Sequence, residues 1–476
     1  MSCIHYLVLA IGLIASCLTA SPQHGDPVNM LARIREEGLL RSRTMDYASE
    51  LIDGIGPRLT ASPNLKRELA WSQDSLRKAG LDGVRAESWG LFGLSWRERN
   101  AWARITVPDT APIIMRAAPW SPSTKGIKEA TVVKVRGFRS PEEFAVQQGR
   151  LRGKIVLYGS APSLPEVVPI EKPLFRRLSK EQLDDWAAQP YEKSTGYGEA
   201  ATSLQARSDL VERVGRFFAA EGVVAVLVPS GNNTSGGRSG GTISVDTNNT
   251  FGWFVYQRQR AMSVPLAVLA LEHYGRMERL LDRRVPVRVE LNIDTETAPK
   301  EEEGFNVFAE IAGAEPSFAN QLVIVAAHLD SWSTGNGATD DGAGVIIAME
   351  AMRVLRAVGA RPRRTIRLAL WSGEEQGSLG SRAWAKRHVG DVPLAASRLP
   401  EFLRAQAGPV KPKGNHALIS AVYTLDAGGG RVRGVSTGNP ALDPVSARAD
   451  RPPLPSISDR AARAESIVKI DIIGSS

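Results

Sequence analysis

The chain has 476 residues, of which 43% are hydrophobic and 23% charged, with a formal net charge of +8 and two cysteines. Such a length buries a large core with room for an inserted module, and the composition excludes a disordered or fibrous chain. Basic residues fall in scattered short groups, such as Arg361-Pro362-Arg363-Arg364, rather than in one run, which argues against a nucleic-acid partner.

Residues 1–20 read as an export signal, because Tyr6 to Ala20 is almost uninterrupted apolar sequence ending at the turn-forming Ser21-Pro22. Ile14-Ala15-Ser16-Cys17 resembles a bacterial lipobox, which would tether the mature chain to a membrane through a lipidated Cys17; simple cleavage after Ala20 is the alternative. Either route predicts export from a bacterial cytoplasm, as a periplasmic, extracellular or lipid-anchored protein. No later stretch is apolar enough to span a bilayer. Cys3 and Cys17 both lie in the signal, so the body of the protein has no disulfide framework and must rest on its core or on bound metal.

Apolar residues at helical spacing predict a helix over Asp46 to Ile55, stopped at Gly56-Pro57, and a second over Leu65 to Ala79 before Gly80. From Ile127 to about Val289 short β-rich runs alternate with turn residues. Arg152 to Leu157, Ala219 to Val228 and Pro265 to Val268 together resemble a protease-associated domain. The expected division is therefore 21–125 for the first part of a catalytic unit, 126–294 for an inserted β-rich module, and 295–476 for the rest of the catalytic unit. Ser230 to Thr250, rich in Gly, Asn and Ser, is expected as an exposed loop of the module.

From Asn306 onwards buried strands alternate with helices, the pattern of an α/β sheet: strands Leu322 to Ala326, Thr365 to Trp371 and Ile419 to Leu425, and helices Gly344 to Val358 and Leu379 to His388. Each strand leads into potential metal ligands at its C-terminal end, His328, Glu374-Glu375 and Asp426, and open α/β sheets build their sites at that edge. Asp340-Asp341-Gly342 lies in the loop before the next helix. Zinc accepts imidazole and carboxylate ligands, and a carboxylate such as that of Asp340 can bridge two ions about 3.5 to 4 Å apart. In the Glu374-Glu375 pair one carboxylate can bind metal while the other moves a proton. Asp330 is placed to accept the imidazole proton of His328 and so set its tautomer.

The runs His328-Leu329-Asp330-Ser331-Trp332, Gly337 to Gly344 and Leu370-Trp371-Ser372-Gly373-Glu374-Glu375-Gln376-Gly377 resemble the co-catalytic zinc aminopeptidase and carboxypeptidase family, and Leu51 to Thr60 suits it also. The resemblance implies a three-layer α/β/α sandwich with a mixed central sheet. It implies two zinc ions, His328 and Glu375 as terminal ligands, Asp340 as the bridge, Asp426 as a further ligand, Glu374 as general base, and short peptides or dipeptides as substrates. A homodimer is compatible with it and required by nothing in the sequence. The family's final metal-binding histidine lies well beyond the Asp426 position, whereas the last histidine here is His416. That departure predicts an incomplete or impaired site, through truncation or a frameshift, unless Asp443 or Asp459 completes it. A cyclising acyl-transfer enzyme and a non-catalytic binding relative are the rival readings.

Overall fold

In the computed structural model the described residues are 27–138, 141–161, 198–230, 254–396, 406–426, 432–437 and 469–474, with a few isolated positions between them. The chain opens with helix α1 (Pro27–Leu40) and a short α2 (Thr44–Ala48) that continues as a π-helical stretch, Ser49–Ile55. That stretch ends at Gly56, whose φ of 79° few other residues adopt. Helix α3 (Pro63–Lys78) begins where Ser62 accepts the Leu65 N–H at 3.2 Å, carries proline at its first position, and ends on Arg77 and Lys78, cations suited to the negative end of the helix dipole. Both expected helices thus form within two residues of their expected limits.

Strand β1 (Asp82–Val107) follows, then β2 (Ala111–Ile113), β3 (Met115–Ala117), β4 (Lys128–Val135), α4 (Pro141–Gln147), β5 (Ile155–Tyr158), α5 (Gly198–Glu221), β6 (Ala225–Pro229), β7 (Leu266–Leu269), α6 (Leu271–Asp282) and β8 (Arg288–Ile311). In the segment expected as a β-rich module, β4 to β7 pair in parallel, and parallel neighbours need crossover connections, which α4 and α5 help supply. Within the run Ala219 to Val228, helix α5 continues to Glu221 and β6 starts at Ala225. Strands β1 and β8 form a long antiparallel ribbon with several bulges, held partly by charge pairs such as Arg104 to Glu290 at 2.5 Å. Its charged, half-exposed faces hid it from a search for apolar strands. Ser230 is described and buried, whereas nearly all of the Gly, Asn and Ser-rich loop after it lies outside the described residues.

The chain then runs through β9 (Leu322–His328), α7 (Ala343–Ala357), β10 (Thr365–Trp371), α8 (Leu379–His388), a hairpin of β11 (Gly390–Asp391) and β12 (Lys411–Pro412), β13 (Ile419–Leu425), β14 (Val432–Thr437) and β15 (Lys469–Gly474). The expected limits of β10, α8 and β13 hold to the residue, while β9 extends past Ala326 to include His328.

These strands join into a 13-stranded mixed sheet with the main order β14-β15-β13-β9-β10-β8-β4-β5-β6-β7-β3, and with β1 on β8. Around β8, β9 and β10 successive residues serve opposite faces, as the strand period demands. Val307, Ala309, Leu368 and Leu370 pack with Leu51 of the π-helical stretch, Leu65 of α3, and Val345 and Met349 of α7; Phe308, Ile324 and Ala369 pack with Trp384 of α8 on the other side. Helices therefore cover both faces there. A further core of Val156, Val226, Val268 and Val289 occupies the β4 to β8 end of the sheet. Among the described residues no helix is long and apolar enough to cross a membrane.

Candidate metal centre

Parallel pairing of β9 with β10 and β13 sets the site. Trp371 lies opposite His328 and Thr424 opposite Ala326, so the residues that leave β9, β10 and β13 emerge at one edge. The imidazole Nε2 of His328 is 3.0 Å from Asp340 Oδ1 and 3.4 Å from Asp426 Oδ1. Ligand atoms of His328, Glu374 and Asp426 all lie within 4.8 Å of one another. Three of the five expected residues, His328, Glu374 and Asp426, thus form one close group, and Asp340 joins it through His328. Glu375 is not in that close group, but its Oε1 is buried without a hydrogen bond, and burial first, then the charges of Asp340 and Asp330, push its carboxyl up to about 9. Asp443 and Asp459, the alternative ligands, lie outside the described residues.

Charge is concentrated where solvent is scarce. His328 is almost fully buried, which disfavours its cation, yet the carboxylates of Asp340 and Asp426 prevail and hold its proton affinity well above the usual imidazole range. Glu374 is raised as well, by burial, with His328 pulling the other way, and Ser378 Oγ donates to its Oε1 at 3.0 Å. Carboxylates packed this way are relieved either by taking up protons or by a cation between them.

A metal fits these donors. His328 Nε2 is buried and makes no well-aligned hydrogen bond, although two carboxylate oxygens stand close to it. The other ring nitrogen, Nδ1, is 2.9 Å from the backbone carbonyl of Asp330, so that carbonyl accepts its proton and leaves Nε2 as a bare donor atom toward the carboxylates. This differs from the expected role of the Asp330 side chain, whose Oδ1 is 3.9 Å from Nδ1. The Asp330 carboxylate instead accepts the Glu374 N–H at 3.1 Å, the Glu375 N–H at 3.2 Å and the Thr60 hydroxyl at 2.8 Å. One nitrogen with several carboxylate oxygens is the donor set of zinc and of similar borderline divalent ions.

The loops that carry these residues are fixed from below. Asp341, joined to Asp340 by a cis peptide, is fully buried and accepts the N–H groups of His328 at 3.0 Å and Gly344 at 3.1 Å. Burial pushes its carboxyl up to about 8. Gly344 is obligatory beside it, since a Cβ there would stand 2.2 Å from Asp341 Oδ1 and 2.6 Å from the Leu425 carbonyl. Arg58 donates to the carbonyls of Leu329 at 2.9 Å, Asn336 at 2.8 Å and Gly337 at 2.9 Å, which ties the loop between His328 and Asp340. On the other side Asn306 accepts the Ser372 N–H at 3.1 Å and donates to the Gly380 carbonyl at 3.0 Å, while Trp89 Nε1 donates to Ser372 Oγ at 2.9 Å.

Sequence reasoning gave no role to Arg58, Thr60, Trp89, Asn306, Gln376 or Ser378. The Gly56-Pro57-Arg58-Leu59-Thr60 run held the only visible signal, an arginine and a threonine inside an otherwise apolar stretch after a helix stop.

A mixed, helix-covered sheet thus gathers imidazole and carboxylate groups at its strand ends, the arrangement of a metal centre. Residues 306–399 match Peptidase family M28. Carboxypeptidase Q of Rattus norvegicus is 28% identical over 389 residues, 82% of this chain and 70% of its own length. The Homo sapiens carboxypeptidase Q is 27% identical over 402 residues, covering 84% and 71% respectively. A crystal structure of a peptidase M28 precursor from Shewanella amazonensis matches with a TM-score of 0.55 at 22% identity, over 94% of this chain and 87% of that one, and it shows the common fold. The chain is thus similar to carboxypeptidase Q over most of its length and to family M28 over residues 306–399, and these relatives support a metallo-exopeptidase.

Proposed function

We propose that this protein is a zinc-dependent exopeptidase that hydrolyses short peptides or dipeptides at a two-ion centre. The observation that carries the reading is the buried, unbonded Nε2 of His328 facing the carboxylates of Asp340 and Asp426. His328, Asp340 and Asp426 would hold one ion; Asp340 as bridge and Glu375, through its buried Oε1, would hold the second. Zinc bound there would polarise the scissile carbonyl and lower the pKa of the attacking water.

The protein's own residues supply the proton path. Glu374 has the geometry of a ligand as well as of a base, since it lies within reach of His328 and Asp426. Its assignment as base rests on the adjacent Glu375, which is free of hydrogen bonds at Oε1 and can take the metal instead. Ser378 holds Glu374 Oε1, so the carboxylate is steadied to take a proton from water and hand it to the leaving amine. Burial raises its proton affinity, which suits a group that must take up a proton and pass it on.

A non-catalytic relative, or one impaired by lack of a further histidine, would show weak metal binding and no turnover; retention of His328, Asp340, Glu374, Glu375 and Asp426 speaks for catalysis. The test is zinc stoichiometry by mass spectrometry of the native protein, together with dipeptide hydrolysis before and after chelation. Two bound zincs and chelator-reversible turnover are expected, and turnover indifferent to chelator would overturn the reading. The apolar run Tyr6 to Ala20 further supports export, with Cys17 lipidation or cleavage after Ala20 decided by the mass of the mature N-terminal peptide.

A further inference from the structure

We infer that Thr60 is a positioning residue of the metal centre, acting through a directed hydrogen-bond chain from Gln376 to Asp330. This inference rests on the exopeptidase reading above. Thr60 and Gln376 are buried, and Asp330 is completely so. Thr60 Oγ1 lies 2.8 Å from Asp330 Oδ2 and in close contact with Gln376 Oε1, while Gln376 Nε2 is buried with no partner.

A hydroxyl has one hydrogen and cannot donate to two acceptors at once. The Asp330 carboxylate takes that hydrogen, because a carboxylate oxygen is a stronger acceptor than an amide oxygen. The Gln376 amide must then present its NH2 group to Thr60 rather than its oxygen, an orientation that hydrogen-bond logic decides. With the amide turned over, both bonds run one way: Gln376 Nε2–H to Thr60 Oγ1, Thr60 O–H to Asp330 Oδ2.

The end of this chain is the point from which the site hangs. Asp330 Oδ1 accepts the Glu374 N–H and Oδ2 the Glu375 N–H, and its own backbone carbonyl holds the Nδ1 proton of His328. One side chain therefore orients the loop of both glutamates, and its backbone orients the imidazole. Thr60 reaches it from a segment 270 residues away in the chain. Without the Thr60 hydroxyl, Oδ2 keeps a single weak bond, and the Asp330 side chain can rotate with the Glu374-Glu375 backbone attached.

The experiment compares Thr60→Val, which keeps the shape and loses the hydroxyl, with Thr60→Ser, which keeps the hydroxyl. Partners of this kind typically govern metal affinity or activity by about 10- to 100-fold. Thr60→Val should lose that much in kcat or in zinc affinity measured by chelator competition, with KM changed by less than about 3-fold, because no substrate contact is removed. Thr60→Ser should stay close to the parent. Equal kcat and zinc affinity in Thr60→Val and parent, measured well below the melting temperature, would overturn the inference, as would Thr60→Ser failing as badly as Thr60→Val. If Thr60→Val does not fold, Gln376→Met breaks the same chain and should give the same selective loss; unchanged kcat and zinc affinity there would also overturn it. A parent protein with neither zinc nor dipeptide turnover would instead strike the exopeptidase reading itself.

Discussion

Arg58 and Glu68 meet inside the protein, Nε to Oε2 at 3.1 Å, with neither side chain exposed to solvent. The pair joins α3 to the loop beneath the metal centre. Arg58 spends its donors on the carbonyls of Gly56, Leu329, Asn336 and Gly337, so neither Glu68 oxygen receives a well-aligned hydrogen bond. Burial therefore pushes the Glu68 carboxyl up to about 8, from an ordinary 4.5, against the pull of Arg58.

That shift sets a pH dependence of stability. The folded state holds the Glu68 proton more tightly than the unfolded chain does, so this group favours folding at low pH, and its contribution declines as pH rises from about 4.5 to about 8. Glu68→Gln should flatten this part of the profile of melting temperature against pH. Identical slopes in parent and variant would mean that Glu68 stays ionised against Arg58 throughout.

Lysine cannot replace Arg58. A single ammonium group lacks the planar fork that reaches three separate segments at once. Arg58→Lys should lower stability by roughly 1 to 3 kcal/mol, the usual cost of leaving buried polar groups without their hydrogen bonds, and weaken metal binding because the Leu329 to Gly337 loop is released. Urea unfolding of the metal-free and zinc-loaded protein measures both effects, and a loss below about 1 kcal/mol would count against the strut role of Arg58.

Glu374→Gln should reduce kcat by at least about 100-fold while the zinc content stays near that of the parent, since a general base typically supplies 10²- to 10⁴-fold. In the parent, kcat/KM should rise with pH as Glu374 loses its proton, and the variant's residual activity should lack this limb. Loss of bound zinc in Glu374→Gln would reverse the roles of Glu374 and Glu375.

Gly380→Ala tests the support behind the glutamate loop. The added Cβ would sit 2.3 Å from Asn306 Oδ1 and 2.5 Å from the Ser372 carbonyl, so Asn306 must give up a bond and the Ser372 to Glu375 loop must move. Overpacking of this kind costs about 1 to 3 kcal/mol. Activity should fall together with melting temperature, and an alanine variant of parental stability and turnover would show that the loop yields freely.

What the sequence determined by itself was local and periodic. Strands β10 and β13 and helix α8 were legible to the residue because apolar runs and helical spacing depend on neighbours a few positions apart. The convergence of His328, Asp340, Glu374 and Asp426 was legible because strand ends in such a sheet share one edge. Only the tertiary structure decided which atom does what. The Asp330 carboxylate serves the Glu374-Glu375 backbone while its carbonyl serves His328, and no spacing distinguishes those two acceptors of one residue. The contacts of Thr60 and Arg58 with β9 and its following loop join segments some 270 residues apart, and the ribbon of β1 and β8 pairs strands whose polar faces carry no apolar alternation. Such links arise from the packing of whole elements, which fixes partners that hydrogen-bonding chemistry alone leaves open.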